Sequence, residues 1–476
     1  MSTHPLEEIL HPQSIAVVGA SNNPSSSGYG FTQFLLEHEF KGKIYPVNPK
    51  YSEILGIKTY ASLRDIPGSV DYVISCIPAG EVLGMLEDCS QKGVKAVHLF
   101  TARFSETGRK EATKLEQEIL KTARKHGIRL IGPNCRGVYY PRQGIAFSYD
   151  FPKEPGSVGL VSQTGGGAAV FVQLVSLRGV RFSKVVSYGN ALDFNECDLL
   201  DYLSQDPETK IILMYVEGVR DGRRFLNSLR QVASTKPVIV LKGGRGKAGS
   251  RMAASHTASL AGSVEIWETM VTQAGAISAQ NFDELADLAL SFYFLPPILG
   301  SRVGIAGGGG GSSVVAADQC EEAGLDVIPL PLEIREELRS MGAQIWDWIG
   351  NPADMSMLGG FEFRSSNMLE MMARNQNFDL LIADIIALPL SKKEERISRL
   401  RGEIEGYIKI KGESSKPLLA VVADKSVGID DCDDLSWKAI CEARTNLIAA
   451  NIPVYPNMGR AAKAASKLID YYQRRR

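Results

Sequence analysis

Three segments of the sequence share one arrangement: a short apolar run, a glycine-rich turn, and then a stretch that favours a helix. The apolar runs begin at residues 14, 158 and 302, and glycines follow each of them within a few positions. Strands that end in such turns and continue into helices are the units from which parallel sheets are built. The chain is therefore predicted to fold into α/β blocks that bind ligands outside the carboxyl ends of their strands.

Further apolar runs of strand length divide the chain into three blocks. The runs are continuous, and helical stretches such as residues 80–92, 108–126 and 282–294 lie between them, which predicts parallel strands covered on both faces. The predicted strands are residues 14–18, 43–47, 72–77, 96–100, 129–131, 158–161, 184–187, 211–216, 237–241, 302–306, 380–386, 417–423 and 453–455. We predict domains at residues 1–152, 153–297 and 298–476, with an irregular linker over residues 138–156.

Composition excludes several classes of protein. The 53 basic residues nearly balance the 54 acidic ones, which gives no support for binding to nucleic acid or to a membrane surface. No apolar run approaches the length of a membrane span, and the N-terminus lacks the features of a signal peptide. The seven cysteines form no CxxC pair or metal-ligand spacing, so we expect reduced thiols, no metal site and a cytoplasmic protein.

The glycine turns of the second and third blocks are candidate phosphate sites, because the helix that follows each turn presents free N–H groups and a partial positive charge. For a single turn, a purely structural role in a tight bend is equally consistent with the sequence. Two such turns in separate domains favour the functional interpretation. The candidate residues are Ser162, Gln163, Thr164, Gly165, Gly308, Gly309, Gly310 and Gly311.

The first block has a different turn, at Gly19, Ala20, Ser21 and Asn22, which does not match GxGxxG. Its second strand leads to Lys50 and has no acidic residue at its end. An NAD site would place a carboxylate there for the ribose hydroxyls, whereas a lysine suits a phosphorylated ribose. The block is therefore predicted to bind a nucleotide, and an NAD-dependent dehydrogenase is the weaker alternative.

One of the six histidines, His256, lies in a tract of small residues close to Lys242, Arg245, Lys247 and Arg251. Imidazole can act as a nucleophile, a base or a phosphate carrier near neutral pH. The alternative is a glycine-rich surface loop that happens to contain a histidine, which is the more common situation for a lone histidine. We expect a flexible loop here.

Taken in order, eight short motifs resemble those of ADP-forming (NDP-forming) acyl-CoA synthetases, which are relatives of succinyl-CoA synthetase. The motifs are residues 17–21, 47–50, 77–79, 132–135, 162–165, 187–190, 215–218 and 255–262, of which Gly-Pro-Asn-Cys at 132–135 and the histidine segment are the most specific. The resemblance implies a Rossmann-like CoA-binding domain followed by two flavodoxin-like succinyl-CoA-ligase domains. The family's ATP-grasp domain has no counterpart here, so the match is to an alpha subunit.

The resemblance also implies roles for particular residues. His256 would carry the phosphoryl group, Glu217 would orient its imidazole, and the two glycine turns would hold the phosphate. CoA would contact Gly19, Ala20, Ser21, Asn22, Lys50, Ile77, Pro78, Ala79 and Thr101. An ATP-grasp beta subunit would supply the site for ATP or ADP and Mg²⁺, in a heterotetramer or larger assembly. For Glu217 alone, a solvated carboxylate at a strand end is the plainer interpretation.

Three positions depart from the family pattern: Arg103, Arg136 and Ala258. None removes a reacting group, but both arginines fall near the expected thioester. They leave two alternatives open, because an extra cation there would favour an acidic acyl group or would pair with Glu106. An alternative function also remains: a CoA-responsive binding or regulatory protein of the same fold that works without turnover.

Overall fold

The computed structural model describes residues 4–257, 263–344, 346–354, 363–385, 393–423 and 435–476. It divides into two compact units, Met1–Leu285 and Ala286–Arg476. The first unit contains two large sheets and a small two-stranded one, and the second unit contains one sheet. Within the described residues, no helix combines the length and the apolar character needed to cross a bilayer.

The first sheet has five parallel strands in the order β2-β1-β5-β6-β7. Strand β1, between β2 and β5, is buried throughout, as expected for a parallel strand whose residues after Ser14 are all apolar. The strands of this block are β1 (Ser14–Val18), β2 (Lys43–Val47), β3 (Glu53–Ile54), β4 (Ile57–Lys58), β5 (Tyr72–Ser75), β6 (Ala96–Leu99) and β7 (Arg129–Ile131). Its helices are α1 (Pro5–Leu10), α2 (Ser27–Glu37), α3 (Val82–Lys92) and α4 (Lys110–Lys125).

The second sheet has six strands in the order β13-β12-β11-β9-β10-β8, and only the edge strand β8 is antiparallel. Its strands are β8 (Gly137–Tyr139), β9 (Val158–Ser162), β10 (Phe182–Ser187), β11 (Ile211–Val216), β12 (Val238–Lys242) and β13 (Ile277–Ala279). The helices are α5 (Gly165–Leu177), α6 (Glu196–Gln205), α7 (Gly222–Ala233), α8 (Lys247–Thr257), α9 (Val264–Gln273) and α10 (Phe282–Phe294).

The third sheet, in the second unit, has four parallel strands in the order β14-β15-β16-β17. They are β14 (Val303–Gly307), β15 (Leu380–Ile385), β16 (Leu418–Val422) and β17 (Val454–Tyr455). The helices are α11 (Gly310–Glu322), α12 (Leu332–Ser340), α13 (Ser365–Arg374), α14 (Lys393–Glu413), α15 (Leu435–Ala449) and α16 (Met458–Gln473). A continuous apolar core packs α12, α13, α14 and α15 against the sheet.

The α/β class with parallel sheets is confirmed, and every predicted strand is present with ends that differ by at most two residues. Two local predictions were wrong. The linker over residues 138–156 is not wholly irregular, because Val138 and Tyr139 are buried in β8 against β10. The backbone around His256 is helical through Thr257 rather than a loop, since alanine, methionine and arginine offset the glycines of α8.

Asp384 makes the stability of the second unit depend on pH. The residue is 8% exposed in β15, and burial raises the pKa of its carboxyl group to about 6. The folded state therefore binds this proton more tightly than the unfolded state, so stability falls as the pH rises from about 4 to 6 and then stays low. We expect Asp384→Asn to raise the free energy of unfolding by about 2–3 kcal/mol at pH 8 and to leave it nearly unchanged at pH 4.

Urea unfolding at both pH values measures this effect. Asp379→Asn is the matched control, and its expected effect on the free energy of unfolding has the opposite sign. Arg302 holds the pKa of the Asp379 carboxyl below its usual value through a hydrogen bond from Nε of 2.9 Å, so its replacement should destabilise the chain at pH 8. An Asp384→Asn variant that keeps the wild-type pH dependence would show that this carboxyl group is not the source of the effect.

Candidate active site

A cavity of about 870 Å³ in the first unit lies where the strand ends of the first sheet face the start of α5 and the end of β11. Parallel strands place their carboxyl ends at one edge, which is why residues distant in sequence meet here. The predicted site residues that line it are Gly19, Ile77, Pro78, Ala79, Thr101, Gln163, Thr164, Gly165 and Glu217. The structure thus brings predicted CoA residues and predicted phosphate residues to one cavity.

A second cavity, of about 480 Å³, contains Lys50 and the neighbouring Asn48. It shares Gly19, Ile77 and Pro78 with the first cavity. The two cavities are therefore neighbours along the edge of the first sheet. An elongated ligand could lie across both, with one end beside Lys50 and the other facing α5.

The turn after β1 depends on glycine at position 19. Gly19 has φ +89°, and a Cβ atom there would lie 2.9 Å from the carbonyl oxygen of Cys76. The other residues of this predicted CoA turn stabilise its shape: the carbonyl of Ala20 accepts from Asn48 Nδ2 (2.7 Å), the hydroxyl of Ser21 accepts from the backbone N–H of Asn23 (3.0 Å), and Asn22 Nδ2 donates to the carbonyl of Glu53 (3.0 Å).

The start of α5 presents backbone N–H groups to the cavity. Thr164 caps the helix by accepting a hydrogen bond of 3.3 Å from the N–H of Gly167, while Gly165 and Gly166 line the cavity. A helix N-terminus of this length is a favourable anion site. Ser162 is buried and has a supporting role, because its hydroxyl donates to the carbonyl of Thr164 (2.8 Å).

Glu217 follows β11 and is 7% exposed, so it is not the solvated strand-end carboxylate considered above. Its Oε1 accepts a hydrogen bond of 3.3 Å from the hydroxyl of Tyr215. The side chain of Gln163 holds its backbone, since Gln163 Oε1 accepts from the N–H groups of Glu217 (2.7 Å) and Gly218 (3.2 Å). The buried ammonium of Lys242 also donates to the carbonyl oxygen of Glu217. These contacts fix where the carboxylate enters the cavity.

The predicted phosphoryl acceptor, His256, lies in the last turn of α8, and its side chain falls outside the described residues, as does Ala258. The backbone of α8 lies close to the 3₁₀-helix Ser105–Thr107, which follows β6 of the first sheet. Glu106 of this 3₁₀-helix lines the large cavity. The helix that carries His256 therefore borders the candidate site.

Asn190, the last residue of the motif at 187–190, joins the two sheets, a role that was not predicted. Its buried Nδ2 donates to Glu106 Oε2 (2.6 Å) and Glu116 Oε1 (3.1 Å), and its backbone N–H donates to the carbonyl of Pro133 (3.0 Å). Arg220 in turn donates to the carbonyl of Asn190 (2.8 Å). Its position just after β10, where polar residues meet at a ligand-binding edge, is the signal that could have identified it.

The second glycine turn belongs to the second unit. Gly308 and Gly309 precede α11, which begins at Gly310, and the hydroxyl of Ser312 caps the N–H of Gly309 (2.8 Å). A Cβ atom at Gly310 would lie 3.2 Å from Asp354 Oδ2, so a carboxylate already stands beside this helix N-terminus. The role of residues Gly308–Gly311 in phosphate binding stays a prediction.

Two family models match the chain. Residues 13–141 match a CoA binding domain and residues 155–292 match a succinyl-CoA ligase like flavodoxin domain. Among solved structures, a dinucleotide-forming acetyl-coenzyme A synthetase 1 of Candidatus Korarchaeum cryptofilum, in complex with phosphate and ADP, superposes with a TM-score of 0.82 at 30% identity, covering 99% of this chain and 97% of that one. This likeness confirms the expected domain types.

Two curated relatives come from Pyrococcus furiosus. The alpha subunit of ADP-forming acetate–CoA ligase II is 38% identical over 418 residues, which is 87% of this chain and 89% of the relative. The alpha subunit of ligase I is 35% identical over 98% of this chain and 97% of the relative. An ADP-forming acetate–CoA ligase of Methanocaldococcus jannaschii is 38% identical, but the match spans only 49% of its length. The chain belongs to the family of ADP-forming acyl-CoA synthetases, in the form of their alpha subunits.

Proposed function

We propose that this chain is the alpha subunit of an ADP-forming acyl-CoA synthetase, which interconverts acyl-CoA, ADP and phosphate with a carboxylic acid, CoA and ATP. The observation that carries the proposal is the large cavity, in which the strand ends of a CoA-binding domain face a helix N-terminus and the buried Glu217. A thioester, a phosphate and a carboxylate that could orient an imidazole can all meet there.

The proposed reaction proceeds in three steps. An oxygen of phosphate attacks the thioester carbonyl, the C–S bond breaks, and CoA leaves while an acyl phosphate forms. A ring nitrogen of His256 then attacks the phosphorus, the bond to the acyl oxygen breaks, and the carboxylic acid leaves. ADP finally takes the phosphoryl group from His256 to give ATP. A covalent intermediate divides one difficult transfer into easier ones.

This chain would supply positioning and charge to these steps. The N–H groups at the start of α5 would hold the phosphate before attack and the phosphoryl group afterwards. Glu217 would accept the N–H of one imidazole nitrogen of His256 and leave the other to attack. Its rigid support from Gln163 and Tyr215 suits an orienting role, because such a group must not rotate away during the transfer.

The site for ATP or ADP and Mg²⁺ belongs, in this proposal, to an ATP-grasp beta subunit. Two observations support a separate partner: the close match in length to two alpha subunits, and the longer relative of which this chain spans 49%. We further propose a heterotetramer or larger assembly in the cytoplasm, a location consistent with the six described cysteines, none of which forms a disulfide.

CoA should bind to this chain without any partner, because both cavities at its strand ends are formed by this chain alone. Lys50→Ala should weaken CoA binding about tenfold by removing one charge-assisted contact to a phosphate. Lys43→Ala is the matched control, since Lys43 begins β2 and lies at the amino end of the strand, whereas Lys50 follows its carboxyl end. Calorimetric titration with CoA and with NAD measures both effects. Binding of NAD but not CoA would support the dehydrogenase alternative instead.

A further inference from the structure

Arg103 has a backbone conformation that an arginine rarely adopts. Its φ is +77°, in the left-handed region that favours glycine. The conformation is maintained by Glu106, whose Oε1 accepts hydrogen bonds from the N–H groups of Arg103 (2.6 Å) and Phe104 (3.1 Å). Backbone strain that a glycine would relieve is a reason to look for a function of the side chain.

In the structure, the guanidinium of Arg103 does not pair with the carboxylate of Glu106. Glu106 uses Oε1 for the two backbone N–H groups and Oε2 for Asn190 (2.6 Å). Within the described part of the chain, the guanidinium of Arg103 makes no hydrogen bond or ion pair. The side chain is exposed, and the residue lines the large cavity. Of the two alternatives that the sequence left open, an acidic acyl group therefore remains.

The position of Arg103 separates it from the nucleotide end of CoA. Lys50 marks that end and lines the smaller cavity, whereas Arg103 lines only the larger one, together with Glu217 and the start of α5. The thioester must lie in the larger cavity for phosphate at the start of α5 to reach it. Arg103 is thus a cation at the acyl end of the substrate.

The other arginine of this cavity, Arg136, is already engaged. Its Cγ would lie 2.8 Å from a Cβ atom at Gly165, and its Nη1 donates a hydrogen bond of 3.2 Å to the carbonyl of Phe147. Arg103 instead follows β6 of the first sheet and makes no such contact with its guanidinium among the described residues. The guanidinium of Arg103 is therefore available to bind a negative charge on the acyl group.

We propose that Arg103 determines acyl specificity by binding a second carboxylate, so that the substrate acid is a short dicarboxylic acid. The inference rests on the proposed function and extends it to a substrate class. A guanidinium matches a carboxylate with two parallel hydrogen bonds, and the pair gains strength in a cavity that bound CoA shields from water.

Stable thioethers of CoA test this without a partner subunit. S-(3-carboxypropyl)-CoA and S-butyl-CoA differ only in the terminal carboxylate, and free CoA serves as the reference ligand. We expect the carboxylate to improve the Kd of the wild-type chain about tenfold over the butyl group. Arg103→Gly should erase this preference while it relieves the backbone strain, so a loss of folding does not confuse the result.

Arg103→Lys should keep part of the preference, since a lysine retains the charge but not the two parallel hydrogen bonds. Arg109→Ala is the matched control, because Arg109 is an exposed arginine on the same segment that does not line the cavity. Equal affinity of the wild-type chain for both thioethers, or an unchanged preference in Arg103→Gly, would overturn the assignment while CoA binding stands. Absence of CoA binding would overturn the proposed function, and this inference with it.

Discussion

His256→Ala should abolish phosphorylation of the chain. Incubation of the wild-type chain with its ATP-grasp partner, Mg²⁺ and labelled ATP should yield a label that is stable in base and lost in acid, as a phosphohistidine would be. The histidine is the nitrogen nucleophile of its segment, and α8 carries it to the border of the cavity where Glu106 lies. Without the imidazole, the acyl phosphate has no acceptor, so the overall reaction should fall to background.

His126→Ala is the control for this experiment, because His126 ends α4 and contacts Ser90 rather than the cavity. The control should keep the full label. CoA affinity should be unchanged in both variants, since the CoA-binding strand ends belong to the first sheet. Full labelling of His256→Ala would place the phosphoryl group on another residue and would refute the mechanism.

Substitution of Glu217 should slow phosphorylation of His256 without abolishing it. Glu217→Gln keeps a hydrogen-bond acceptor and the support of Gln163 but loses the charge that would stabilise an imidazolium. We expect a decrease of about 10²–10⁴ in the rate, as for other carboxylates that orient a catalytic histidine, and a larger decrease for Glu217→Ala than for Glu217→Gln.

Single-turnover phosphorylation, followed beside a CoA titration, separates this effect from a general disturbance of the site. CoA affinity should remain at the wild-type value, because Glu217 follows a strand of the second sheet, whereas the residues predicted to contact CoA belong to the first block. Asp221→Ala serves as a comparison for general damage, since Asp221 follows the same strand but caps α7. Wild-type rates in both Glu217 variants would show that Glu217 does not orient His256.

The architecture was predictable from the sequence because each strand is a continuous apolar run bounded by turn residues. All parallel strands of the first and third sheets were located in this way, as were β9, β10, β11 and β12 of the second sheet, but the edge strand β13 was not. The edge strand β8 was missed because it begins a stretch rich in tyrosine, proline and glycine, and because its burial depends on β10, which lies far along the chain. The helix α8 was missed because its glycines resemble a loop, whereas its alanines decide the local conformation.

The parts of the site that depend on backbone conformation could be predicted from the sequence. Glycines at Gly19 and Gly165 indicate a close approach or a free helix N-terminus, and both line the cavity. Side-chain networks were not predictable, because they depend on the tertiary packing of distant segments. Gln163 was expected to hold phosphate but also fixes the backbone of Glu217, and Asn190 gave no signal of its link to Glu106.

Formation of ATP from an acyl-CoA, ADP and phosphate is the activity that the proposed function requires of this chain and its partner. The chain should be purified from its native organism together with its partner, and the reaction should be measured with each component omitted in turn. We expect ATP formation that requires this chain, its partner and all three substrates, and that is lost in the complex reconstituted with His256→Ala. A complex that binds CoA but forms no ATP from any acyl-CoA would refute the proposed catalysis and would favour a regulatory protein that works without turnover.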